Sequence, residues 1–196
     1  SPAFTPIPHN EIDGSVTIGD RLVTGRAYMQ GRTDHSGATL WSGTTSLGTT
    51  AADGSYSFCP PVGYGQNFTL KIVKDGYLYG QKLVAVSMTG TISLSDLTLL
   101  GGDPIGSQVS VSTSGCSPDV TMTVAGPPDS RVNVLDLTFV GARFGKTSAD
   151  SDWGPDSCHP DYLAYRSDIN QDNNVNIFDL VLVGNRFGKL APSPWP

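Results

Sequence analysis

A sixteen-residue segment occurs twice in the last third of the chain. RVNVLDLTFVGARFGK, at 131–146, returns as NVNIFDLVLVGNRFGK, at 174–189, and ten of the sixteen positions are identical. The two copies are 43 residues apart. Duplicated units of this size usually pack face to face about a pseudo-two-fold axis. The repeat therefore predicts one compact pair of equivalent units.

Each copy has the signals of a short helix. In the second copy Asn176 is a suitable N-cap, and Asp179 stands three residues later, where a carboxylate favours the positive end of a helix. Gly188 is suited to end the helix. The spacing predicts that one apolar face is formed by Ile177, Leu180, Val181, Gly184 and Phe187.

The segment DINQDNNVNIFDL, residues 168–180, carries oxygen-bearing side chains at alternate positions before this helix. Alternate side chains of a tightly turning loop converge, and six to eight oxygen ligands are what Ca²⁺ prefers. Asn173 stands at the sharp turn, where asparagine tolerates the left-handed conformation. A metal-free Asx turn would explain the cap but not the alternation. The predicted calcium ligands are Asp168, Asn170, Asp172, Asp179 and the backbone carbonyl of Asn174.

The corresponding loop of the first copy is degenerate. It keeps Asp129, Asn133 and Asp136, but the two earlier ligand positions hold Ala125 and Pro127, so its site is expected to be lost or weak. In an alternative interpretation, 104–128 is an inserted hairpin. Asp103 would then be the first ligand across the base of that hairpin.

The residues before this region read as short alternating strands between glycine turns. Asp53-Gly54 and Asp75-Gly76 are predicted hairpin turns, and about seven strands over 15–101 predict a small β-sandwich. Another hairpin is predicted at 108–124. We therefore expect a mainly β fold with a small α part.

Several function classes are disfavoured by composition. The formal net charge is −6 and the 12 basic residues are scattered, which argues against a nucleic-acid partner. No run of about 18 apolar residues is present, so no membrane insertion is expected. The histidines stand in loops without a nucleophile motif, so the chain is not expected to be an enzyme. Three cysteines predict one disulfide and one buried thiol.

Two parts of the chain resemble known families. The G-R and D-H-S-G elements with TTAADGSYSFCPPVGYG resemble the carboxypeptidase regulatory-like (transthyretin-like or CnaB-like) sandwich, usually a non-catalytic spacer. The duplicated D-x-N-x-D-x-x-V-N-x-x-D-L pattern, with its R-F-G helix end, resembles the dockerin domain, a calcium loop–helix pair that attaches secreted proteins to cohesin receptors. The expected units are an extended arm (1–14), the sandwich (15–101), an inserted hairpin (102–128), a dockerin-like pair (129–190) and a tail (191–196).

The dockerin resemblance also implies which residues contact the partner. Its partner contacts commonly follow the ninth loop position, which here gives Val134-Leu135 and Ile177-Phe178, with Arg143 and Arg186 further along. These apolar pairs are equally compatible with core positions. The link between the copies is long for a dockerin, and its Cys158 is expected to pair with Cys116 at the hairpin tip.

Two functional interpretations follow for an extracellular, secreted or cell-surface protein. The first is a calcium-binding subunit of a self-assembling fibre. In that case the extended arm, with Phe4 and Ile7 between prolines, would dock on the next copy. The alternative is an adaptor that docks a secreted protein onto a cohesin-type receptor. Both predict a protein partner, and the fibre is the primary prediction.

Overall fold

Two four-stranded β-sheets and two short α-helices make up most of the structure, a computed structural model that describes residues 21–87, 90–113, 121–156 and 158–196. Neither α-helix of the described ranges has the length and the apolar content that a membrane-spanning helix requires. The elements are β1 (Leu22–Met29), β2 (Thr39–Ser42), β3 (Thr45–Thr49), β4 (Ser55–Phe58), β5 (Asn67–Val73), β6 (Gly76–Tyr77), β7 (Gly80–Ala85), β8 (Thr91–Ser93), β9 (Leu97–Leu99), β10 (Gly101–Asp103), β11 (Gly106–Ser112), β12 (Thr121–Gly126), α1 (Val134–Gly141), a 3₁₀ turn (Ala164–Arg166) and α2 (Ile177–Arg186).

The two sheets form the predicted sandwich. One sheet has the order β4–β1–β8, with β9 also beside β1, and the other has the order β3–β2–β5–β7. Alternation along the strands builds the core between them, because every second side chain of a strand points to the same face. In β5, for example, Phe68, Leu70 and Ile72 are buried. The mainly β fold class is therefore confirmed.

The turns at the two Asp-Gly pairs have different roles. Gly54, with φ +80°, connects β3 to β4, and these strands belong to different sheets. The hairpin predicted at Asp53-Gly54 is therefore wrong, because the turn crosses between layers. Around Asp75-Gly76 the hairpin prediction is right, since β5 and β7 pair antiparallel. The intervening β6 leaves that sheet to pair with β10.

A separate hairpin stands beyond the sandwich. Strands β11 and β12 pair antiparallel, as the alternation at 108–124 predicted. Arg166 secures the base of the hairpin, since its guanidinium donates to the carbonyl oxygens of Ala125 and Gly126 at 3.2 and 2.8 Å. The hairpin is thus attached to the segment that links the two repeated copies.

The two copies exchange main-chain hydrogen bonds with two-fold regularity. The N–H of Val132 donates to Lys189 O at 2.9 Å, and its carbonyl accepts from the N–H of Gly188 at 2.7 Å. The same two bonds, at 2.7 and 2.8 Å, join Val175 to 145–146. Each residue of the first pair of bonds stands 43 residues from its equivalent in the second pair, so the predicted face-to-face pair is confirmed.

Helix α2 buries a different face from the one predicted. Leu182 and Val183 are buried, whereas Ile177, Val181 and Phe187 are about half exposed. The predicted apolar face is therefore not the face that α2 buries. The orientation is determined by packing against β10, which the periodicity of a ten-residue helix cannot identify.

The apolar core runs without interruption from the sandwich into the helix pair. Val132, Val140, Val175 and Val183 belong to the same buried cluster as the strand residues. The carboxyl-terminal segment also returns to the sandwich, where the hydroxyl of Ser193 donates to Leu78 O at 2.9 Å. Packing therefore joins the two halves, and the predicted domain boundaries stay predictions.

Gly102 allows a close approach of β10 to α2. Its φ is +119°, and a Cβ there would lie 3.0 Å from the Cα of Val183. We predict that Gly102→Ala lowers the free energy of unfolding by more than about 1 kcal/mol, because strain and contact act together. The matched control is Gly184→Ala, inside α2 with open space around it, which should stabilise by up to about 1 kcal/mol. Chemical denaturation measures both, and equal effects would contradict the assignment.

Candidate functional site

The loop before α2 is organised by two buried aspartates. The carboxylate of Asp168 accepts hydrogen bonds from the N–H groups of Asp172 and Asn173 at 3.0 and 2.9 Å. Asp179 accepts from the N–H of Ile169 at 2.8 Å and from that of Asn176 at 2.9 Å. The two side chains therefore fix the path of the loop at both of its ends. We call residues 168–179 loop 2.

The remaining predicted ligands lie on the exposed side of the same loop. The side-chain amides of Asn170 and Asn176 both donate to Asp172 Oδ2 at 3.0 Å. The N–H of Asn174 donates to Asp172 Oδ1 at 2.9 Å. Asn173 has φ +69°, the left-handed conformation expected at the sharp turn.

The first copy reproduces this framework from a discontinuous segment. Asp103, at the end of β10, accepts from the N–H groups of Asp129 and Ser130 at 3.3 and 2.9 Å. These two donors stand 43 residues before Asp172 and Asn173, which bond to Asp168 in loop 2. Asp103 therefore occupies the structural position of Asp168, as the inserted-hairpin alternative predicted. We call Asp103 with residues 129–136 loop 1.

The other end of loop 1 follows the same plan. Asp136 accepts from the N–H of Asn133 at 2.8 Å and from that of Ile105 at 3.4 Å. Ser130 has φ +70°, as Asn173 does in loop 2. Loop 1 has one side-chain oxygen fewer than loop 2. Ile105 stands two residues after Asp103, as Asn170 stands two residues after Asp168, and isoleucine has no side-chain oxygen.

Burial raises the pKa of the buried carboxylates of both loops, which are those of Asp103, Asp136, Asp168 and Asp179. The pKa of Asp103 rises to about 8, because the group is desolvated and lies near Asp136 and Asp129. Desolvation raises the pKa of Asp136 and that of Asp168 to about 6 each, and it also raises the pKa of Asp179. Each loop therefore holds buried acids whose ionised form is disfavoured without a compensating charge.

The carboxylates are engaged with backbone N–H groups and are not gathered about one point. Across the described ranges, no three Asp, Glu, His or Cys side chains come close enough to hold a metal ion by themselves. Amide, carbonyl and water oxygens would have to complete the coordination of a cation. The side chains of Asn170 and Asn174 stand in loop 2 as further oxygen donors.

An exposed apolar surface adjoins the two loops. The first two residues of α1 are Val134 and Leu135, and the first two of α2 are Ile177 and Phe178. All four side chains are more than half exposed. The core alternative for these pairs is therefore wrong, and they are available to a partner. Capping boxes immediately before them fix the first turn of each helix.

Further apolar side chains enlarge this surface. The hydrogen bond from the N–H of Gly188 to Val132 O brings the end of α2 beside the start of α1. The equivalent bond, from the N–H of Gly145 to Val175 O, brings the end of α1 beside the start of α2. Phe144 and Phe187 are each 55% exposed. The sequence analysis placed Phe187 on an apolar helix face but named neither phenylalanine as a partner contact, although the repeated R-F-G motif was a usable signal. The helix-pair surface consists of Val134, Leu135, Phe144, Ile177, Phe178, Val181, Phe187 and Leu190.

The two predicted contact arginines are engaged within the chain. The guanidinium of Arg143 lies 3.6 Å from the centre of the Phe139 ring and donates to Phe139 O at 3.1 Å. Arg186 Nε donates to Gln30 Oε1 at 3.1 Å. Equivalent positions therefore have different partners in the two copies. A role of either arginine in partner binding stays a prediction.

Some predicted residues cannot be placed. The arm 1–14, with Phe4 and Ile7, and Cys116 of the predicted Cys116–Cys158 disulfide lie outside the described residues, so these predictions stay open.

Cys59 is a free, exposed cysteine, whereas the unpaired thiol was expected to be buried. Strand β4 ends at Phe58, one residue before Cys59.

Comparisons with known proteins indicate the fold. No protein-family model matches the chain, and no curated protein matches it. The similar solved structures include an N-terminal and a C-terminal interface mutant of a type II cohesin–X-dockerin complex from Acetivibrio cellulolyticus. The identities are 20% and 21% and the TM-scores 0.60 and 0.59. In each case the match covers 87% of this chain and 97% of the other.

These comparisons correct the family resemblance drawn from the sequence. The likeness is to structures of type II cohesin complexes, and this chain is mainly β with two α-helices. At such low identity the likeness shows the fold alone, and no family model supports the dockerin assignment. That recognition, with its regulatory-like sandwich, is therefore wrong as a family assignment. The repeated motif determines local caps and turns, and these do not identify a family.

Asp179 is expected to stabilise loop 2 more than any exposed acid of the same loop. Asp179→Ala leaves the N–H groups of Ile169 and Asn176 without an acceptor, so we predict a loss of about 3 kcal/mol in the free energy of unfolding without calcium. Asp172→Ala, at an exposed position, should cost less than about 1 kcal/mol. Urea denaturation measures both, and equal losses would contradict this account.

Proposed function

We propose that the chain is a non-catalytic protein–protein docking module that binds its partner through the helix-pair surface. The observation that carries this proposal is the set of large apolar side chains exposed in pairs at equivalent positions of α1 and α2. Phe178 alone is 64% exposed. Burying such side chains against a partner removes apolar area from water, the main favourable term in association.

The docking interpretation is preferred to the fibre. The fibre depends on the arm with Phe4 and Ile7, which lies outside the described residues, whereas the helix-pair surface lies entirely within them. The similar solved structures are complexes of type II cohesin, which supports a partner of the cohesin type. We accordingly propose an extracellular adaptor that joins a secreted protein to a cohesin-type receptor.

The described histidines support a non-catalytic assignment. His35 Nδ1 accepts from the N–H of Met29 at 3.0 Å, and the ring meets Tyr28 edge-on. His159 stacks on Tyr162 at 4.4 Å and contacts Asp156. Both rings are thus occupied in local packing. His9 lies outside the described residues.

Calcium is the cofactor that we propose for the two loops. Their donors are all oxygen atoms, which suit this hard cation, and its charge would compensate the buried carboxylates. In loop 2 it would be held by Asp168, Asn170, Asp172, Asp179 and the carbonyl of Asn174. In loop 1 it would be held by Asp103, Asp129 and Asp136, and more weakly because one side-chain oxygen is missing.

The docking proposal is tested with one exposed side chain in the helix pair and one in the sandwich. Phe178→Ser should weaken binding to the type II cohesin of Acetivibrio cellulolyticus by about tenfold to a hundredfold, as expected of a central aromatic contact. The matched control is Leu83→Ser in β7, since Leu83 is 66% exposed but lies on the sandwich. Surface plasmon resonance measures both dissociation constants.

Three results of that experiment would contradict the proposal. An equal effect of the two substitutions would show that the helix-pair surface is not the contact. An effect of Leu83→Ser alone would move the interface to the sandwich. No binding by the unsubstituted chain would reject a partner of the cohesin type.

The calcium proposal is tested by isothermal titration calorimetry. Asp168→Asn should weaken the tighter site by about tenfold or more, and Asp103→Asn should affect only the weaker one, because each removes one ligand charge from its own loop. Asp161→Asn, an exposed acid outside both loops, is the control and should leave both sites unchanged. Unchanged titrations for Asp168→Asn would refute the assignment of loop 2.

A further inference from the structure

Tyr77 is a buried sandwich residue whose hydroxyl reaches loop 2. It belongs to β6, a strand of two residues in the connection between β5 and β7, and is 3% exposed. Its hydroxyl lies 2.8 Å from Ile169 O, to which it donates, and 3.1 Å from Gln30 O. Ile169 is the second residue of loop 2 and directly follows Asp168. The sandwich therefore contacts the loop at the position between its first two side-chain ligands.

The peptide groups of Ile169 are held from both sides. Its N–H donates to Asp179 Oδ1 at 2.8 Å, and its carbonyl accepts from Tyr77. Its side chain is 2% exposed and lies against Gly101, where an added Cβ would meet it at 3.1 Å. Ile169 thus has little freedom to move while the sandwich is folded.

The other residue of β6 contacts loop 1. Gly76 pairs with Asp103 in the ladder between β6 and β10, and Asp103 begins loop 1. Two successive residues of one short strand therefore touch the first segments of both loops. This arrangement connects the loops to each other through the sandwich.

We propose that Tyr77 is a positioning residue through which the sandwich presets loop 2 for calcium. This inference rests on the calcium binding proposed above. Without the Tyr77 hydroxyl, the buried carbonyl of Ile169 loses its hydrogen-bond donor, and the segment with Asp168 and Asn170 is no longer fixed. Binding must then order that segment, which lowers the affinity.

The chain supplies a matched control for the loss of one tyrosine hydroxyl. Tyr56 is likewise buried in the sandwich, at 6% exposed, and stacks on Phe58. Its hydroxyl has no hydrogen-bond partner among the described residues. Tyr56→Phe therefore removes the same atom from the same sandwich without disturbing either loop.

The experiment compares Tyr77→Phe with Tyr56→Phe in the full chain. Calcium chloride is titrated by calorimetry, and thermal unfolding is followed with and without calcium. For Tyr77→Phe we expect about threefold to tenfold weaker calcium binding at the tighter site, the effect of losing one hydrogen bond. We also expect a smaller calcium-induced rise in Tm. Tyr56→Phe should bind calcium as the unsubstituted chain does.

The outcomes distinguish failure of this inference from failure of the calcium proposal on which it rests. If Tyr77→Phe lowers Tm equally with and without calcium and binds calcium as tightly as before, Tyr77 has a structural role only, and this inference is overturned. If the unsubstituted chain itself does not bind calcium, the calcium proposal falls and takes this inference with it. Equally weakened binding in Tyr56→Phe would also overturn it, because the effect would not depend on the contact with Ile169.

Discussion

The main chain just before each helix is hydrogen-bonded to the main chain just after the other helix. Val132 and Val175 supply the groups on one side of these reciprocal bonds, and both are fully buried. A buried backbone N–H or carbonyl without a partner is costly. At these positions each copy satisfies the main-chain groups of the other. The pairing therefore fixes the two helices as neighbours and places the four ends from which the exposed side chains project.

Buried acids are the second constraint, and they explain why the loops are so ordered. Each buried aspartate of the loops accepts hydrogen bonds from backbone N–H groups, which favour the ionised carboxylate. Desolvation and neighbouring acidic side chains oppose that ionisation. A bound cation would remove that conflict. Asp136 and Asp179 also belong to the capping boxes of α1 and α2, so a change in the charge of either carboxylate acts directly on the first turn of its helix.

The position of the apolar surface follows from the same geometry. The inward side of the helix pair is already filled by Val140 and Val183, which pack into the core shared with the sandwich. The residues that follow the capping asparagines must then point outward. Four large apolar side chains next to the caps are held by rigid first turns, so little conformational entropy remains to be lost when a partner covers them.

Features that depend on contacts over a few residues were predictable from the amino-acid sequence. The capping asparagines, the left-handed turn at Asn173 and the alternation of the strands follow from short-range hydrogen bonding and side-chain direction, and the structure has each of them. The repeat predicted the paired arrangement, because two similar units present complementary main-chain groups. The same local logic misled the family assignment, since caps and turns recur in unrelated folds.

Features that depend on residues distant along the chain are fixed by the folded core. Asp103 is the equivalent of Asp168 because folding closes the β11–β12 hairpin and returns the chain to Asp103 after 26 residues. The contact between Tyr77 and Ile169 spans 92 residues. The buried face of α2 and the separation of β3 from β4 into different sheets are also set by packing. Such contacts leave no periodic signal in the sequence, because the atoms that satisfy them are brought together only when the whole core forms.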